Sequence, residues 1–72
     1  MTDSKKLRAI ILERGYTQAE VAEKLQISAT SFNYKVNNKR AFNSDEMFKL
    51  CEILQIIDPK PVFLQAWVIK NH

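Results

Sequence analysis

The stretch TQAEVAEKLQISATSFNYKVNNKR, Thr17 to Arg40, decides how this chain folds. It opens on a capping box: the Thr17 hydroxyl is placed to accept the amide of the third helical residue, and Glu20 to reach back to the amide of Thr17. Val21, Ala22 and Leu25 then recur at helical spacing as the buried stripe of a short helix. Gln26-Ile27 leaves that helix, and Ser28 is a good cap for the next one, whose inward residues are Phe32 and Val36. Asn37-Asn38 ends it, because Asn tolerates the left-handed backbone better than other non-glycine residues. A connection as short as Gln26-Ile27-Ser28 holds two helices at a steep angle.

Helix signals continue on both sides. Upstream, Asp3 or Ser4 caps a first helix with Leu7, Ile10, Ile11 and Arg14 on one face, and Gly15 follows its last turn. Downstream, Asn43-Ser44-Asp45-Glu46 repeats the capping-box spacing and puts two acids at the positive end of a fourth helix. Met47, Leu50, Cys51 and Leu54 form its apolar stripe, which Ile56 and Ile57 continue into a loop. Asp58-Pro59-Lys60-Pro61 stops that helix and opens a short fifth one, with Val62, Phe63 and Trp67 turned inward. Phe63, Leu64, Trp67, Val68 and Ile69 cover the core or form a dimer contact, and core cover is favoured because so small a domain needs the area. Val68 to His72 is left open as loop or edge strand. The expected architecture is all-α: a compact five-helix domain around a helix-turn-helix, one domain over residues 1–72 with its core at about 5–67.

Composition agrees. A chain of 72 residues allows one domain, and its single Gly and two Pro are too few for the turns of an all-β fold. One Cys forms no internal disulfide. No apolar run approaches a membrane span, and the polar segment Met1 to Arg8 lacks the apolar core of a signal peptide. A reduced, cytoplasmic, soluble protein with no membrane association is expected. The net charge of +3 is unevenly spread. Residues 24–44 carry Lys24, Lys35, Lys39 and Arg40 and no acid, whereas residues 45–58 carry Asp45, Glu46, Glu52 and Asp58 against Lys49. The basic middle is the first functional hint, with a plain solvated surface as its alternative.

Thr17 to Leu25, followed by Ile27-Ser28, resembles the helix-turn-helix of the Cro/repressor (XRE) family. Ser31 to Arg40, with Phe42, is similar to small Cro-type proteins from temperate phages of Gram-positive bacteria. The resemblance spans residues 5–57. It implies a lambda-repressor-like fold and a double-stranded DNA operator as partner. Helix 2 would then present its N-terminus and Gln18 to a phosphate. Helix 3 would lie in the major groove with Ser28, Ala29, Thr30, Asn33 and Tyr34 facing base edges. Asn33 suits adenine, Ala29 or the Thr30 methyl a thymine methyl, and Lys39 and Arg40 suit phosphates. Tyr34 has a second reading, packing on the flank of helix 3. Family members usually carry Gly where Asn38 stands, and pair as homodimers on two half-sites.

The presumed reading face carries no Arg or Gln, the side chains that read bases most strongly. A second function therefore stands beside the first: an antirepressor, or modulator of repression, that binds the lysogenic repressor. Glu20, Glu23, Asp45, Glu46 and Glu52 would pair with that partner's basic residues. An enzyme is not expected, nor a cofactor or a metal. The one His is the last residue, Cys51 lies on an apolar stripe where thiols are inert, and no nucleophile has a base beside it.

Overall fold

The computed structural model describes residues 1–70, with side chains described through Trp67. Helices α1 (Ser4–Glu13), α2 (Gln18–Leu25), α3 (Ala29–Val36), α4 (Ser44–Leu54) and α5 (Lys60–Phe63) are followed by a 3-10 helix over Leu64–Lys70. Among the described residues there is no strand. Val68 to Lys70 are therefore neither loop nor edge strand but part of that 3-10 helix. Asn71 and His72 lie outside the described residues.

Each of the four longer helices begins at a side-chain cap. Asp3 accepts the Lys6 amide at 3.1 Å. Both capping boxes form, Thr17 with Glu20 and Asn43 with Glu46. Ser28 accepts the Ser31 amide at 3.0 Å. The helix ends share one geometry. Gly15 turns left-handed (φ 82°), and the Tyr16 amide returns to the Ile11 carbonyl. A Cβ at Gly15 would touch nothing within 4 Å, so the sign of φ is what favours glycine there. Helices α2 and α4 close the same way but with glutamine in the left-handed position, Gln26 at φ 62° and Gln55 at φ 55°. The next residues, Ile27 and Ile56, send their amides back to Ala22 and Cys51 and pack on the core. That apolar contact accompanies this type of helix end and offsets the strained backbone.

The core joins Leu7 and Ile11 of α1, Val21, Ala22 and Leu25 of α2, and Phe32 and Val36 of α3. Met47, Leu50 and Leu54 of α4 complete it with Phe42, Val62 and Phe63. Phe42 meets Phe32 and Phe63 edge-on, with ring centroids 5.9 and 6.0 Å away. Trp67 stacks on Phe63 at 5.9 Å and takes the edge of Phe48 at 5.1 Å. Cys51 and Ile10 are half-buried and pack against this core from their apolar stripes, whereas Leu64 and Ile57 are 40% and 97% exposed. The left-handed Gln55 ends α4, so the stripe is not carried past Ile56. Arg14 leaves the apolar face of α1 and donates from Nε to the Leu54 carbonyl at 2.7 Å, a cation at the negative end of α4.

Candidate nucleic-acid interface

Helix α3 buries Phe32 and Val36, one turn apart, and so turns Ala29, Thr30, Asn33 and Tyr34 outward. Ser28 is exposed at its head, with its hydroxyl oxygen occupied by the cap. The side chains of Thr30 and Asn33 make no hydrogen bond to the described residues, which leaves a hydroxyl and an amide open to an outside partner. Gln18 is half-buried in the first turn of α2.

The exit of α3 is held from several sides. Asn38 is left-handed (φ 64°), and the following Lys39 amide donates to the Tyr34 carbonyl at 2.8 Å. The Asn38 side chain then does what glycine could not. Its Oδ1 accepts the Thr2 amide at 2.7 Å, and its Nδ2 donates to the Thr2 carbonyl at 2.8 Å. The Ser4 hydroxyl donates to the Val36 carbonyl, and Arg8 Nη1 donates to Asn37 Oδ1 at 3.0 Å. The first residues of the chain thus brace the end of α3. This pairing joins positions 36 residues apart, and no local pattern announces it; Asn in a position usually given to Gly is the one trace it leaves in the sequence.

Tyr34 is 38% exposed, with Lys39 Nζ and Arg40 Cζ each 5.6 Å from its ring centroid. Both distances are within the range of cation–π attraction. Tyr34, Lys39 and Arg40 thus form one cluster at the exit of α3.

The acidic residues separate into two kinds. Glu46 is buried, and its carboxylate takes Lys35 Nζ at 2.8 and 2.6 Å as well as the Asn43 amide at 2.9 Å. It is spent inside the fold and not offered to a partner, which corrects its expected place among the repressor-contacting acids. By the same pairing Lys35 drops out of the outward basic surface, leaving Lys39 and Arg40 exposed there with Lys24, which lies 5.6 Å over the Tyr16 ring. Glu20, Glu23, Asp45 and Glu52 are exposed, and the Glu20 carboxylate accepts the Thr17 amide at 2.8 Å. Burial pushes the Cys51 thiol up from its ordinary value, which disfavours the reactive thiolate. Among the described residues no group of three His, Cys, Asp or Glu could hold a metal ion. No helix among them is long and apolar enough to cross a membrane.

An exposed second helix, docked on the first across a three-residue corner and followed by exposed cations, is the geometry of a major-groove reader. The chain matches the Cro/C1-type HTH DNA-binding domain over residues 6–57, well over half its length, and it belongs to that family. Neither the curated proteins nor the solved structures contain a match to it.

Proposed function

We propose that this protein is a transcriptional regulator of a temperate phage, acting in the cytoplasm of the bacterial host on the choice between lysis and lysogeny. Helix α3 enters the major groove, with Asn33 reading adenine and Ala29 and Thr30 meeting thymine methyls. Gln18, Lys39 and Arg40 hold the flanking phosphates. Ser28 contributes from the helix head. Two copies set α3 into half-sites about 34 Å apart. The observation that carries this reading is that Ala29, Thr30 and Asn33 are exposed on the outer side of a well-anchored helix, and that the Thr30 and Asn33 side chains make no hydrogen bond among the described residues. The test is a set of binding titrations against operator and random duplex at two salt concentrations. Affinity should fall steeply with salt. Asn33→Ala should lower the preference for operator by about 1–3 kcal/mol, the worth of a paired base contact. Equal loss on both duplexes would remove Asn33 from base reading.

One observation favours a second reading, an antirepressor that binds the lysogenic repressor. Asp45, Phe48 and Glu52 share the outer face of α4 at helical spacing, and Phe48 is 41% exposed while held edge-on against Trp67. An exposed, ordered aromatic between two acids suits a basic protein surface with an apolar centre. Glu20 and Glu23 extend the acidic surface from α2. In this reading, Phe48→Ala and Glu52→Lys abolish co-elution with the repressor and Asn33→Ala leaves it intact. Co-elution that survives both α4 substitutions would exclude this face.

A further inference from the structure

We propose that Tyr34 is a positioning residue, whose ring holds Lys39 and Arg40 as a preformed phosphate clamp at the exit of the reading helix. The inference rests on the DNA-binding reading and assigns within it a role other than base contact. Three observations carry it. The left-handed turn at Asn38 and the hydrogen bond from the Lys39 amide to the Tyr34 carbonyl fold the chain back over Tyr34. Both cationic groups then reach the same 5.6 Å from the ring centroid. A recess of about 280 Å³ lined by Thr2, Asn38, Lys39, Arg40 and Phe42 opens beside them.

The physics runs from charge to entropy. Two neighbouring cations repel each other, and two long side chains in water occupy many rotamers. The negative face of an aromatic ring attracts both and narrows their range before any ligand arrives. An anion that reaches the cluster then finds its partners already gathered, with less ordering left to lose on binding. A DNA phosphate is that anion, because the cluster follows directly on α3 and no carboxylate of the described residues is paired with either cation. The clamp acts on the backbone and so carries no sequence information. It is also tied to the start of the chain through the pairing of Asn38 with Thr2.

The test compares Tyr34→Leu, Tyr34→Phe and the double substitution Lys39→Ala/Arg40→Ala with the unaltered chain. Each is titrated against a random-sequence duplex at about 50 and about 200 mM salt. Tyr34→Leu should weaken binding about three- to tenfold at the lower salt and flatten the logarithmic salt slope by about one, the value of one phosphate contact. Tyr34→Phe keeps the ring and should bind as the unaltered chain does. Adding Tyr34→Leu to the double substitution should cost nothing more, because the ring would have no cation left to hold. In the free protein, Tyr34→Leu should also remove the ring-current shifts of the Lys39 and Arg40 side-chain protons. If Tyr34→Phe is as weak as Tyr34→Leu, the hydroxyl contacts DNA and the positioning role is overturned. That role is equally overturned if Tyr34→Leu binds normally, or if its loss adds fully to that of the double substitution. Failure of the unaltered chain to bind any duplex would instead overturn the DNA-binding reading itself, and the phosphate role with it.

Discussion

Thr17-Gln18-Ala19-Glu20 and Asn43-Ser44-Asp45-Glu46 are the same device at the heads of two helices. Both form reciprocal capping boxes, and both helices end on a left-handed glutamine followed by an isoleucine packed on the core. Their glutamates differ completely in fate. Glu20 is exposed, and its carboxylate makes only the hydrogen bond that closes the box. Glu46 is 8% exposed and also holds the ammonium of Lys35 from α3. The first box does local work only; it leaves the head of α2 open to an outside partner. The second is a tertiary joint that ties Lys35 of α3 to the head of α4. A local motif specifies a helix start; what lies opposite decides whether its charge serves the surface or the scaffold.

This difference can be broken in order of size. Glu46→Ala removes one partner of a mostly buried ion pair and one half of a cap, and should cost about 3 kcal/mol. Urea denaturation measures it. A loss no larger than that of Glu20→Ala would erase the distinction between the two boxes. Lys35→Met leaves the Glu46 carboxylate with its cap amide alone and should cost about 2 kcal/mol, read in the same way. For a domain of this size each kcal/mol lowers Tm by about 4–8 °C. Asn43→Ala and Thr17→Ala should each cost about 1 kcal/mol. Asn43→Ala should be the worse of the two, because the amide it orients also steadies the buried carboxylate. The reverse order would mean that the joint tolerates a misplaced Glu46. Glu20→Ala should cost about 0.5 kcal/mol and leave operator binding unchanged.

The smallest effect lies at Cys51, on the α4 side of the comparison. Its thiol is raised by burial. The folded protein therefore holds that proton more tightly than the unfolded chain does. The resulting stability is present below the ordinary thiol value and is lost as pH rises through the raised one. Alkylation at mildly alkaline pH should be slower in the folded protein than in urea. Equal rates in both would mean that α4 opens freely at that edge.

Much of this was legible in the residues. Capping boxes, apolar stripes at helical spacing and the breaks at Gly15, Asn38 and Pro59 are interactions within a few positions of each other, and they placed the five helices. The outward row on α3 followed from its inward one, since burying Phe32 and Val36 leaves Ala29, Thr30 and Asn33 no other side. Three features were not legible, and all three join distant parts of the chain. Lys35 and Glu46 lie on separate helices, Asn38 reaches back to Thr2, and Arg14 crosses to the end of α4. None has a period or a spacing, because each depends on how helices dock. Ile57 is the converse case: an apolar residue that continued a stripe in the sequence but was turned to solvent by the left-handed Gln55.

What the sequence by itself determined was the set of helices, their order, the tight corner between α2 and α3, and the family to which they belong. These rest on backbone hydrogen bonding and burial over short separations, where side-chain identity is decisive. Only the tertiary structure decided which charges remain for a partner. It withdrew Lys35 and Glu46 into a shared, mostly buried pair and gathered Lys39 and Arg40 around Tyr34. Charges act through space, and their availability depends on the distance and exposure that packing creates.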